Sequence, residues 1–136
     1  MITEKAQRKQ RIMVVEDSVE QRMLMKQLLE ADGYDVIEAG DGNVARSLID
    51  QMTPPDIIIS DLVMPFVNEF ELVSYMRSKL GWKGIPLFLL SGRGVCSDHQ
   101  NALLAGATTF INKPYHPLML LNRLREVLVE QGYSAQ

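Results

Sequence analysis

The sequence has a single cysteine, Cys96, so no disulfide can close within the chain and the fold does not depend on an oxidising compartment. It has no surplus of positive charge: 14 Lys and Arg stand against 17 Asp and Glu, a net charge of −3. Non-specific nucleic-acid binding needs a basic surface that displaces counterions from phosphates, so direct contact with nucleic acid is not expected. No apolar run approaches the roughly 20 residues of a membrane-crossing helix, and the N-terminus lacks a signal-type hydrophobic segment. No membrane association is expected, and a cytoplasmic location is. The two histidines, His99 and His116, have no ligand-like spacing. Internal repeats and low-complexity segments are also lacking.

What remains is a chain of 136 residues, 46% of them apolar, which fits one domain with a real core and leaves little room for a separate effector. Residues 1–10 are polar, with Lys5, Arg8 and Lys9 against Glu4, and read as a flexible leading segment. The expected domain runs over residues 11–131, followed by a tail at residues 132–136.

The pattern becomes regular at Ile12. Ile12-Met13-Val14-Val15 is a short apolar run ending at Glu16-Asp17, as a buried strand should. Val19, Met23, Leu24, Leu28 and Leu29 then recur at helical spacing, and Gly33 follows where that helix should end. Tyr34 to Ala39 alternates as an edge strand does. Asp41-Gly42-Asn43 is a turn and cap signal, and Val44, Ala45, Leu48, Ile49 and Met52 form the next stripe before Pro54-Pro55. Ile57-Ile58-Ile59, ending at Ser60-Asp61, is the most strand-like segment and is predicted to be central. Leu72, Val73, Met76 and Leu80 mark a third helix. Pro86 to Leu90 is a fourth strand, ending at Ser91-Gly92. A short helix is predicted around Ser97 to Ala105, and Thr108 to Ile111 is a fifth strand, ending at Asn112-Lys113-Pro114. Pro117 suits the first turn of a last helix with Leu118, Leu121, Leu124 and Leu128 inward. Five strands alternating with five helices imply right-handed crossovers and a parallel sheet covered on both faces, an α/β fold.

In such sheets the functional crevice lies at the C-terminal strand ends. There the sequence places Glu16 and Asp17, Asp61, Ser91 and Lys113. Each alone is ordinarily a helix cap, a turn residue or a surface charge; three acids, a hydroxyl and a lysine on one rim form a site. Clustered carboxylates repel one another, and a hard divalent ion with oxygen ligands, Mg²⁺, relieves the repulsion and lets a phosphoryl group approach. Lys113 adds a positive point charge and Ser91 a donor. A carboxylate nucleophile in that company suits formation of an aspartyl phosphate.

These residues carry a family resemblance. Val14-Val15-Glu16-Asp17, Asp61-Leu62-Val63-Met64-Pro65, Leu90-Ser91-Gly92 and the run Gly106 to Pro114 agree in identity, order and spacing with one pattern. The chain resembles the receiver domain of two-component response regulators, of the single-domain chemotaxis kind, over roughly residues 11–131. The resemblance implies a flavodoxin-like, doubly wound sheet of order 2-1-3-4-5. It implies Asp61 as the phosphoacceptor, supplied by a histidine kinase or a histidine phosphotransfer protein. Glu16, Asp17, Asp61 and the backbone carbonyl of Val63 would bind Mg²⁺, and Lys113 would pair with a phosphoryl oxygen. Ser91 and Phe110 would act as the switch, Pro114 would form a cis-type turn, and the face of the fourth helix, fifth strand and last helix would signal to a downstream effector or a fused output domain. The chain would catalyse only its own phosphorylation and dephosphorylation, and so not be an enzyme in the ordinary sense.

Departures from the family pattern are local. Phe66 and Glu69 stand where small residues are common, and Gly92 where alanine is usual. Val63 and Arg93 occupy positions that in the family affect loss of the phosphoryl group. Val63 is apolar and ill-suited to position water, which predicts slow autodephosphorylation. Other readings fit less well. An aspartyl phosphatase of the haloacid type needs a second Asp where Val63 stands, and a nucleotide-binding domain needs a phosphate loop where Glu16-Asp17-Ser18 stands. A phosphorylation-independent pseudo-receiver, acting as an interaction module, is the alternative that the intact acidic set argues against.

Overall fold

Ile57–Asp61 is buried along its whole length, and an unbroken apolar run with both faces covered belongs in the middle of a parallel sheet. A computed structural model of the chain, which describes residues 9–61, 69–91 and 108–132, places it there. The elements are β1 (Arg11–Val15), α1 (Val19–Ala31), β2 (Asp35–Ala39), α2 (Gly42–Gln51), β3 (Ile57–Asp61), α3 (Glu69–Ser78), β4 (Leu87–Ser91), β5 (Thr109–Asn112) and α4 (Pro117–Glu130). The strands form one parallel sheet of order β2-β1-β3-β4-β5. This is the expected order, with β2 and β5 at the edges. The described residues include four helices; the helix predicted around Ser97 to Ala105 lies outside them.

Successive strand side chains point to opposite faces, and this splits the core in two. Ile12, Val14, Ile57, Ile59, Phe88 and Leu90 pack with Met25 and Leu29 of α1 and with Leu120, Leu121 and Leu124 of α4. Met13, Val15, Ile58, Leu87 and Leu89 pack with Ala45 and Ile49 of α2, Leu72, Val73 and Met76 of α3, and Trp82. Caps follow the sequence signals. Ser18 Oγ accepts from Gln21 N at the start of α1, and Asp41 Oδ1 from Val44 N at the start of α2. Gly33, just past α1, has φ 94°, where a side chain would be strained. His116, which has no ligand-like spacing in the sequence, caps α4 by accepting from Leu118 N at 3.1 Å.

The helical stripes proved wider than the buried faces. Val19, Met23, Leu24, Val44 and Leu118 are exposed, although each falls in an expected stripe. At about 100° per residue, Leu118 lies well around α4 from the arc of Leu120, Leu121, Leu124, Val127 and Leu128, which the sheet covers. Leu80 is 98% exposed because α3 ends at Ser78, leaving it in the following turn. No helix among the described residues is long and apolar enough to cross a membrane.

Candidate functional site

Parallel strands all end at one edge of the sheet, and the order β2-β1-β3-β4-β5 puts the ends of β1 and β3 side by side. Val15 is in register with Ser60, so Glu16 and Asp61 follow at the same level. Glu16 and Asp61 are buried, Asp17 is exposed, and one carboxylate oxygen from each lies within 4.8 Å of the others. Lys113 leaves the edge strand β5 and reaches across β4. Its Nζ lies 3.1 Å from Asp61 Oδ2 and 3.4 Å from Glu16 Oε1. A long side chain is needed to span that distance, since neighbouring strands are about 4.8 Å apart.

One ammonium cannot neutralise three carboxylates, and Glu16 is buried as well. Burial, and then the charge of Asp61, push its pKa up to about 7, against the Ser18 N–H that donates to its Oε2 at 3.1 Å and the nearby Lys113. Burial works against the charge of Lys113. The hydrogen bond to Asp61 and the charges of Asp61 and Glu16 outweigh it, and the ammonium is held above the usual lysine value. A compact set of hard oxygen donors with excess negative charge fits a small divalent cation such as Mg²⁺.

The other expected site residues are placed as follows. Ser91 ends β4 with its backbone in register with Asn112. Phe110, in β5, is in register with Leu89 and packs partly buried against the core layer under α2 and α3. The peptide between Lys113 and Pro114 is cis. Val63, Phe66, Gly92 and Arg93 lie outside the described residues. One neighbour was not foreseen: Gln21 Oε1 accepts from Lys113 Nζ at 3.2 Å. Helical spacing sets Gln21 one turn after the Ser18 cap, but nothing in the sequence links it to Lys113. A cleft of about 650 Å³ opens here, lined by Glu16, Asp61, Lys113 and Gln21 on its polar side and by Met25 and Tyr115 on its apolar side.

Comparison with known proteins gives this rim a context. Residues 12–125 match the family model of the response regulator receiver domain. The chain is 34% identical over 119 residues to the chemotaxis protein CheY1 of Helicobacter pylori, covering 87% of this chain and 96% of that protein. It is 32% identical over 126 residues to the transcriptional regulatory protein CpxR of Escherichia coli, covering 93% of this chain but spanning only about half, 52%, of CpxR. Among solved structures, the chemotaxis response regulator CheY4 of Vibrio cholerae superposes with a TM-score of 0.82 at 31% identity, covering 88% of this chain and 99% of that one. The chain belongs to the response regulator receiver domain family, the signalling module of two-component systems.

Proposed function

We propose that the chain is a phosphorylation-activated switch in which Asp61 accepts a phosphoryl group from a histidine kinase or a histidine phosphotransfer protein. The observation that carries the reading is the contact of Lys113 Nζ with Asp61 Oδ2, 3.1 Å, inside a cluster of three carboxylates. In the transfer, an Asp61 carboxylate oxygen forms a bond to phosphorus as the bond from phosphorus to the donor imidazole nitrogen breaks, and the imidazole departs with the electron pair. Lys113 would follow the charge from the carboxylate to a phosphoryl oxygen, at little cost in reorganisation. Glu16, Asp17 and Asp61, with the backbone carbonyl of Val63, would hold Mg²⁺, which supplies positive charge to the incoming phosphoryl oxygens. A receiver domain of this fold, from the sensor histidine kinase PA1611 of Pseudomonas aeruginosa, has a magnesium ion coordinated in its active-site cleft.

The readout follows from the same charge change. Ser91 ends β4, the strand next to β3, and Phe110 lies on β5, and their repositioning would pass the signal to the face of β5 and the last helix. The partner reading it would be a separate effector or a fused output domain, and the setting the cytoplasm. The domain's own chemistry would be limited to gaining and losing the phosphoryl group. Beryllofluoride with Mg²⁺ tests this: amide resonances around Asp61, Ser91 and Phe110 should shift in the unaltered protein and not in Asp61→Asn. A silent spectrum from the unaltered protein overturns the reading and leaves a phosphorylation-independent interaction module.

A further inference from the structure

Arg22 sits one turn into α1, its backbone N–H donating to Ser18 O at 2.9 Å. Its side chain is only 18% exposed and turns back toward the rim rather than out to water. Nη1 donates to the main-chain carbonyl of Glu16 at 2.8 Å, and Nε donates to Glu38 Oε1 on β2 at 3.3 Å. Glu38 balances the guanidinium charge and is shared with Lys26 at 3.3 Å. Arg22 is therefore no competitor for the three carboxylates of the site.

The path of the guanidinium runs against Gly40. A Cβ at Gly40 would meet Arg22 Nη1 at 3.2 Å, closer than side chains normally approach. Gly40 does not have a left-handed backbone, so what a side chain there would change is the space beside the guanidinium, which would have to give by a few tenths of an ångström.

We infer that Arg22 is a positioning residue for the cation site: it fixes the Glu16–Asp17 peptide so that both carboxylates converge with Asp61 on one ion. The peptide group is planar, so anchoring its carbonyl oxygen sets the direction in which Asp17 leaves β1. The Glu16 N–H is already held by Ala39 O at 3.0 Å, and its carboxylate by Ser18 N. The Arg22 bond completes the restraint on the side nearest Asp17. Removing a group that orients a metal ligand in this way commonly weakens metal binding roughly 10- to 100-fold. The inference rests on reading the acidic cluster as a Mg²⁺ site.

Calorimetric titration of the full chain with Mg²⁺ at pH 8 tests it, with thermal unfolding recorded for every variant. Arg22→Met, which keeps the aliphatic stem, should weaken Mg²⁺ binding about tenfold or more. Arg22→Lys should recover part of the loss through a single donor. Gly40→Ala, which pushes on the guanidinium without touching Arg22, should also weaken binding, and it decides the matter should Arg22→Met not fold. Arg125→Met is the control: it breaks the 2.6 Å ion pair to Asp32 at the far end of α1, and should lower stability with Mg²⁺ affinity unchanged. Unaltered Mg²⁺ affinity in Arg22→Met and Gly40→Ala overturns the role of Arg22 alone, as does an equal loss in Arg125→Met. Absence of Mg²⁺ binding by the unaltered protein overturns the site reading, and the inference with it.

Discussion

Lys113 follows the edge strand β5, yet its Nζ rests 3.1 Å from Asp61 Oδ2 at the end of the central strand β3. The ammonium thereby ties the outermost strand of the sheet to its middle through the group proposed to react. A change in charge at Asp61 is felt at Lys113, and so at the β5 edge.

Replacing Lys113 by Met should slow phosphorylation of Asp61 by acetyl phosphate on the order of 100-fold, the usual loss when one preorganised donor to developing charge is removed. Stopped-flow or mass-resolved time courses measure this. A rate within a few-fold of the unaltered protein would mean that Lys113 does not follow the phosphoryl group.

In the absence of divalent ions, Glu16 should make folding stability pH-dependent. Its pKa is raised in the fold, to about 7 from an ordinary 4.5, chiefly by burial. Between those values the folded state keeps a proton that the unfolded chain releases, so its contribution falls as pH rises from about 4.5 to 7 and is level above that. The full loss is at most roughly 3–4 kcal/mol. Urea unfolding at pH 5 and pH 8 should show the drop, and Glu16→Gln should remove it. Mg²⁺ should restore stability at pH 8 by binding the folded form alone.

Leu124→Ala should cost about 2–5 kcal/mol, because Leu124 is wholly buried between α4 and the sheet. Leu80→Ser should be nearly neutral, despite Leu80 continuing the apolar spacing of α3. Chemical unfolding of the two variants separates a buried leucine from one that only matches the period.

That contrast shows what the sequence could and could not tell. Ile57-Ile58-Ile59 was legible as a central strand, because only a position covered on both faces tolerates such a run. The meeting of Glu16, Asp17, Asp61 and Lys113 was legible because parallel strands deliver their ends to one edge. Leu80, Leu118, Met23 and Leu24 misled because periodicity reports an apolar stripe and not what covers it. Gln21 and Arg22 were invisible for another reason: their partners, Lys113, Glu38 and the Glu16 carbonyl, sit on other elements, and the contacts exist only once the sheet has formed.

The phosphorylated form should be long-lived, since Val63 offers no polar group to orient an attacking water. Loss of acyl phosphate from purified protein, followed by mass, should be slow, and Val63→Asn should speed it. Rapid loss from the unaltered protein would contradict the assignment.

The central claim is that Asp61 takes the phosphoryl group, and the most direct measurement is the intact mass after incubation with acetyl phosphate and Mg²⁺. The account predicts a gain of one phosphoryl group that depends on Mg²⁺ and disappears in Asp61→Asn. No gain, or an equal gain in Asp61→Asn, would contradict it.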